Sequence, residues 1–174
     1  MISQTMTDAL NKQIELEGYA SFLYLAMASW CDQQGMEGCS NFLHRQSEEE
    51  RAHMLRIFNY LSEVDAHAIV PAIPQPPKDF ESPQEVFKQV YAHEQKVTTA
   101  INDLIQMANE ENDYTTNVFL QWYVTEQREE EALMRSILDR IKLIGTGGQS
   151  LYFIDLELEK INAATAAAEP SEGE

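Results

Sequence analysis

The segment "AHAIVPAIPQPPKDFESP", residues 66–83, carries five prolines and decides the topology of the fold. Proline fixes φ and lacks a backbone N–H, so this segment cannot be the interior of a helix and we expect a connection. About sixteen extended residues at ~3.1 Å each reach ~50 Å, whereas a helix of about 28 residues spans ~42 Å. The connection is therefore long enough to cross a bundle of long helices from end to end.

The same segment ends in a helix start signal. Ser82 offers an N-cap hydroxyl, Pro83 suits the first helical position, and Glu85 completes a capping box. Elsewhere apolar residues recur at steps of three and four, which is the helical period, and Gly35 and the "GTGG" at 145–148 supply stops. We predict an all-α fold with four long helices and a short fifth, the latter capped by Ser150. The predicted helices are residues 5–33, 37–64, 83–111, 115–144 and 151–164.

Composition and charge restrict the class of function. The 174 residues include 29 acidic and 12 basic side chains, a net charge of −17, and 44% are hydrophobic, enough for one folded domain. Such a surface repels nucleic acid and anionic lipid but attracts cations, so we expect metal ions as partners. No signal peptide or long apolar run is visible, and Cys31 and Cys39 match no metal or redox spacing. We therefore expect a cytoplasmic protein with two reduced thiols.

Glutamates interrupt the predicted inward stripe of every long helix near its middle. A buried carboxylate costs several kcal/mol unless it is paired or binds a metal, and the centres of these stripes contain neither lysine nor arginine. The alternative is a register error of one residue, which would turn the same glutamates into solvated surface. The interrupting residues are Glu17 in the first helix, Glu50 and His53 in the second, Glu94 in the third, and Glu126 and Glu130 in the fourth.

The heights of these residues along the bundle favour a shared site. If the first two helices are antiparallel about residue 35, Glu17 lies level with His53 and one turn from Glu50. If the next two are antiparallel about residue 112, Glu94 lies level with Glu130. Oxygen ligands with one imidazole suit iron or manganese better than zinc, and four carboxylates balance two divalent ions. We expect Glu50 to bridge two metals about 3.5–4 Å apart.

The strings "SEEERAHM" (47–54), "YAHEQKVT" (91–98) and "FLQWYVTEQREEE" (119–131) closely resemble bacterial non-haem ferritin, and the likeness spans residues 1–162. It implies a ferritin-like four-helix bundle with one long crossover and a short fifth helix. It also implies a hollow homo-oligomeric shell of 24 subunits that oxidises Fe²⁺ with dioxygen and stores a ferric oxyhydroxide mineral. Residues 163–174 would form a flexible acidic tail.

The resemblance also assigns iron ligands. Glu17, Glu50 and His53 would bind the first iron, and Glu50, Glu94 and Glu130 the second. A third iron site would use Glu49, Glu126 and Glu129 together with Glu130, although solvated charge remains an equal interpretation of these edge positions.

Further residues near the centre have two interpretations each. Tyr24 resembles a tyrosine that gives an electron to the centre, but it also suits a core tyrosine with a hydrogen-bonded hydroxyl. Gln127 is expected to hold a ligand or a bound water, and Trp122 to pack. The remaining histidines, His44, His67 and His93, are expected to be surface or structural residues.

Departures from relatives exclude haem, and two rival functions remain. Bacterioferritins place a second histidine three residues after the last glutamate and a methionine between the glutamate and histidine of the second helix. This chain has Leu133, and Arg51 and Ala52, at those places.

One rival is a di-iron oxygenase acting on an organic substrate, which would need an apolar pocket beside the metals. The other is a metal-free acidic bundle that binds a protein partner.

Overall fold

A computed structural model of the protein describes residues 2–168, which form five α-helices without any strand in that range. The helices are α1 Gln4–Gln33, α2 Glu37–Glu63, α3 Pro83–Glu110, α4 Tyr114–Ile144 and α5 Ser150–Ala168. The all-α prediction is confirmed. The fifth helix continues past the predicted end at Ala164, so the first residues of the predicted tail, 163–168, are helical. The rest of that tail, 169–174, lies outside the described residues.

Local capping explains where the long helices begin and end. Gly35 has a φ of 73°, the left-handed conformation that lets the chain turn sharply between α1 and α2. The Ser82 hydroxyl accepts a hydrogen bond from the Glu85 amide at 3.1 Å, as its sequence position predicts. Asp113 caps α4 in the same way, because its carboxylate accepts from the Thr116 amide at 3.0 Å. Each cap satisfies a backbone N–H that the helix itself leaves unpaired.

The connection between α2 and α3 runs along α1, as its length predicts. At one end, the Asn11 side chain donates to the His67 carbonyl at 3.0 Å and accepts from the Ile69 amide at 2.7 Å. At the other end, the buried Phe80 ring lies edge-on to Trp30 with centroids 5.9 Å apart. Positions 11 and 30 of one helix are about 28 Å apart at 1.5 Å per residue. The connection therefore spans most of the bundle, so α3 starts at the end where α2 also starts, opposite to the end where α2 stops.

The core consists of two apolar clusters with a polar layer between them. One cluster surrounds Tyr24, Phe42 and Phe87, and the other surrounds Leu10 and Tyr123. Each cluster draws on all four long helices, so the residues between them are placed in the middle of the bundle. The buried polar residues of the layer are Glu17, Gln46, Glu50, His53, Glu94, Gln127 and Glu130.

Helix α5 packs mainly against α2 and also contacts α4. Ile154 and Leu158 are buried in the first cluster, whereas Leu151 is exposed. A Cβ on Gly38 would lie 2.2 Å from the Asp155 carbonyl oxygen, so this close approach requires glycine. Ser150 is the first helical residue rather than the cap. No helix among residues 2–168 combines the length and apolar character needed to cross a bilayer.

Candidate metal centre

The five predicted iron ligands all lie in the polar layer, and each of the four long helices contributes at least one. None is more than 5% exposed: Glu17, Glu50, His53, Glu94 and Glu130. One ligand atom from each of Glu17, Glu50 and His53 lies within 4.8 Å of the others. The His53 Nδ1 is 3.6 Å from a Glu50 oxygen. The register error considered above is excluded for these five residues, because their side chains are in the interior.

Four ligand atoms of this centre have no hydrogen-bond partner among the described residues. They are Glu17 Oε2, Glu50 Oε2, His53 Nδ1 and Glu130 Oε2. A buried polar atom without a partner costs about 1–3 kcal/mol, and more when it is charged. Bound cations would satisfy all four at once, so the donor set fits metal ions.

The other carboxylate oxygens of the centre are held by neutral side chains. Gln13 Nε2 donates to Glu17 Oε1 at 2.8 Å. The Tyr24 hydroxyl donates to Glu94 Oε1, and Gln127 Nε2 donates to Glu94 Oε2 at 3.0 Å and to the Glu94 carbonyl at 3.2 Å. These contacts orient one edge of each carboxylate and leave the other edge for a ligand.

Burial raises the pKa of every carboxyl in the centre. The pKa of Glu17 rises to about 7, and those of Glu50, Glu94 and Glu130 also rise, first through desolvation and then through neighbouring carboxylates. The charge of Glu17 further raises the pKa of its neighbour Glu50. Burial lowers the pKa of His53 to about 4. The imidazole is therefore neutral and able to bind a metal.

A second group of possible ligands lies beside the first, towards the surface between α2 and α4. Ligand atoms of Glu49, His53 and Glu126 lie within 4.8 Å of one another, and both glutamates are half-buried. Glu129 is instead mostly exposed and pairs with Arg128 at 3.0 Å. The structure thus places two of the predicted third-site residues together with His53, while Glu129 points away.

The buried face of helix α4 differs in part from the predicted one. Glu130 is buried as predicted, but Glu126 is only half-buried and Gln127, the next residue, is buried in its place. Leu120 and Met134, one on each side of Gln127 along the helix, are buried as well. A step of one residue turns a helix by about 100°, so the buried face includes Gln127 and Glu130 and leaves Glu126 at its edge. The Gln127 amide thereby reaches Glu94.

Comparison with known proteins adds a family to this geometry. A model of the ferritin-like domain matches residues 7–144. The chain belongs to the ferritin family. This ferritin is 44% identical to a bacterial non-heme ferritin of Campylobacter jejuni, over 92% of this chain and 96% of that protein. It is 42% identical to a bacterial non-heme ferritin of Escherichia coli, over 93% of this chain and 98% of that protein.

A solved structure supports the same assignment. The open pore ferritin of the hyperthermophilic archaeon Archaeoglobus fulgidus matches this ferritin with a TM-score of 0.88 and 43% identity, over 91% of this chain and 98% of that chain. The predicted ferritin-like bundle with a short fifth helix is therefore confirmed. Family membership and the cluster of glutamates with a histidine identify an iron-binding protein.

Sequence reasoning missed several residues that shape this ferritin's centre. Gln13 was overlooked although it precedes Glu17 by four residues, the spacing at which helix side chains meet. Gln46 Nε2 donates to Glu49 Oε2 at 2.6 Å, three residues along the helix, and the Tyr123 hydroxyl donates to the His53 carbonyl at 2.7 Å. The first two contacts follow helical spacing, whereas the third joins residues 70 apart in the chain and has no sequence signal.

Trp122 packs beside the centre, and the three histidines outside the ligand set are surface or structural residues, as the sequence predicts. Trp122 lies edge-on to His53 at 5.3 Å, and the Arg56 guanidinium lies 4.3 Å from the Trp122 ring centroid. His93 is 5% exposed and packs against the Tyr24 ring with centroids 6.1 Å apart. The other two histidines, His44 and His67, are exposed.

Proposed function

We propose that this iron-storage ferritin oxidises Fe²⁺ to Fe³⁺ with dioxygen at a di-iron centre within one subunit. Glu17, Glu50 and His53 would bind the first iron, and Glu50, Glu94 and Glu130 the second. The product would be stored as a ferric oxyhydroxide mineral inside a hollow cytoplasmic shell of 24 identical subunits. The four buried ligand atoms without hydrogen-bond partners support this proposal most directly.

The charge and proton balance of the centre suits this reaction. Iron is the substrate, and two Fe²⁺ ions would balance the four negative charges of the ionised carboxylates. Anionic oxygen ligands stabilise Fe³⁺ relative to Fe²⁺, so the centre favours the loss of one electron from each iron to dioxygen. Carboxyl ligands must be ionised to bind metal, and burial raises the pKa of each of them, so iron binding would release protons from the centre.

Residues around the centre would support the reaction in different ways. Gln13 and Gln127 orient Glu17 and Glu94 through their amides. Tyr24, whose hydroxyl donates to Glu94, would give an electron to the centre. A third iron would lie beside the di-iron centre, bound by Glu49, Glu126, Glu129 and Glu130. The mechanism uses no haem.

A pair of matched variants tests this proposal. Glu50→Gln removes the bridging charge, whereas Glu48→Gln makes the same change on the exposed face of α2, two residues away. We expect the first variant to lower the initial rate of iron oxidation by about a hundredfold or more, and the second by less than about twofold. Ferric absorbance and oxygen consumption give the rates, and native mass checks assembly. An assembled Glu50→Gln shell that oxidises iron at the normal rate would refute the proposal.

A further inference from the structure

An aromatic row formed by Tyr24, His93 and Tyr19 runs outwards from the metal centre. The Tyr24 hydroxyl donates to Glu94, and the Tyr24 ring lies edge-on to His93 with centroids 6.1 Å apart. The His93 ring in turn contacts Tyr19, with centroids 5.9 Å apart. The three rings belong to α1 and α3, which pack against each other, so the bundle itself holds the row in place.

The two ends of the aromatic row differ in their access to solvent. Tyr24 is fully buried, and His93 is 5% exposed. Tyr19 is half-buried and lines a groove between α1, α3 and the long connection that is open to solvent. The groove is also lined by charged side chains, those of Lys12, Glu15 and Asp103. A molecule in solution can therefore touch Tyr19 but not Tyr24.

The proposed oxidation of iron leaves dioxygen short of electrons. Two Fe²⁺ ions give up one electron each, whereas the reduction of dioxygen to water takes four electrons. Tyr24 can supply a further electron, and its hydroxyl proton then passes to the Glu94 carboxylate that accepts its hydrogen bond. Tyr24 becomes a neutral radical and has to be reduced before it can give an electron again.

We propose that His93 and Tyr19 connect Tyr24 to the groove, where a small neutral hydroquinone supplies the electron that reduces the Tyr24 radical. The inference rests on the proposed oxidation of iron. One electron passes from Tyr19 through the His93 ring to Tyr24, which takes its proton back from Glu94, while Tyr19 loses its hydroxyl proton to water. The hydroquinone then gives one electron and one proton to Tyr19.

Charge and wall chemistry favour this class of reductant. The net charge of −17 repels anionic reductants, whereas a neutral hydroquinone is not repelled. Its flat ring can pack against the Tyr19 ring, and Leu16 and Leu104 add apolar surface beside it. The groove therefore suits a small aromatic reductant that meets Tyr19 from solution.

The lifetime of the Tyr24 radical tests the proposal. Fully assembled protein would be mixed with a pair of Fe²⁺ ions per subunit and dioxygen, at increasing concentrations of hydroquinone. Freeze-quench electron paramagnetic resonance then follows the decay of the radical. In the wild type we expect the decay to quicken as the hydroquinone concentration rises. A decay that does not depend on hydroquinone would overturn the proposal.

Substitution of Tyr19 separates electron transfer from packing. Tyr19→Phe keeps a ring against His93 but removes the easily oxidised phenol, so we expect the radical to decay about tenfold more slowly with hydroquinone. Tyr19→Trp restores an oxidisable ring and should recover part of this loss. Tyr91→Phe is the control, because it changes another half-buried tyrosine, which packs against the first apolar cluster, and it should match the wild type.

A second variant and the iron reaction complete the test. His93→Leu removes the middle ring, and we expect the same slow decay as in Tyr19→Phe. Wild-type hydroquinone dependence in either variant, once assembled, would overturn the proposal. Wild-type protein that oxidises Fe²⁺ but forms no Tyr24 radical would overturn this inference alone, whereas failure to oxidise Fe²⁺ would overturn the proposed function.

Discussion

Two groups of glutamates lie side by side in this protein, and they differ in what surrounds them. The inner centre, formed by the five buried ligands described above, has four atoms without protein partners. The outer group, Glu49, Glu126 and Glu129, reaches the surface, and two of its members have donors. Gln46 and Arg45 contact Glu49 at 2.6 and 3.5 Å, and Arg128 contacts Glu129 at 3.0 Å.

The comparison shows that burial, not residue type, determines which glutamates need a cation. Water and nearby arginines screen the charges of the outer group, so that group is stable with or without metal. In the inner centre the described residues hold the carboxylates through amides and a tyrosine hydroxyl, and burial raises the pKa values of the carboxyls, which favours proton binding when no metal is bound. The same distinction predicts different responses to substitution in the two groups.

The largest expected difference concerns the stability of the metal-free protein. The pKa of Glu17 is about 7 in the folded state and near its ordinary value of 4.5 in the unfolded chain. The folded state therefore binds a proton that the unfolded state lacks, and the free energy of unfolding falls as pH rises from about 4.5 through 7. For Glu17 alone the loss is on the order of 3 kcal/mol. Urea unfolding with a chelator, across this range, measures it.

Glu17→Gln should weaken this pH dependence, whereas Glu129→Gln in the outer group should leave it unchanged. Glutamine keeps the size of the side chain but cannot ionise, so its stability contribution does not vary with pH. A wild-type protein whose stability is flat or rises between pH 4.5 and 7 would contradict the distinction between the two groups.

A smaller effect is expected when a neighbour of the inner centre changes. Tyr24→Phe removes the hydroxyl that donates to Glu94, and we expect iron oxidation to slow by about tenfold, equivalent to one hydrogen bond to a charged group. Tyr60→Phe is the control, because its hydroxyl contacts Thr116 in the other apolar cluster. Electron paramagnetic resonance during oxidation separates the two interpretations of Tyr24. A tyrosyl radical that forms in the wild type but not in Tyr24→Phe would identify Tyr24 as an electron donor. Normal oxidation in Tyr24→Phe would identify Tyr24 as a core residue only.

The smallest effect is expected in the outer group. Glu126→Gln should change the rate of iron oxidation after the first addition of iron by less than about twofold, because the inner ligands remain intact. After repeated additions the rate should fall by about twofold or more. Stopped-flow measurements over successive additions make this comparison, with Glu48→Gln as the control. A large loss on the first addition would show that the outer group belongs to the catalytic centre.

Much of the fold could be predicted from local signals. Ser82, Pro83 and Glu85 mark the start of α3, Gly35 marks the turn after α1, and the prolines of the connection exclude a helix there. These signals depend on backbone chemistry within a few residues, so they need no tertiary information. The sequence contains no local signal that marks the end of α5, so its extension to Ala168 was not predicted.

The sequence by itself determined the helices, the crossing connection and the common level of the five glutamate and histidine ligands, because helical rise and period are fixed by the backbone. Only the tertiary structure decided that α4 buries Gln127 rather than Glu126 and leaves Glu129 mostly exposed. A position at the edge of a helical stripe differs from its neighbour by about 100°, and the packing of adjacent helices selects between them. Contacts between distant parts of the chain, such as those of Tyr24 and Gln127 with Glu94, exist only after that packing is complete.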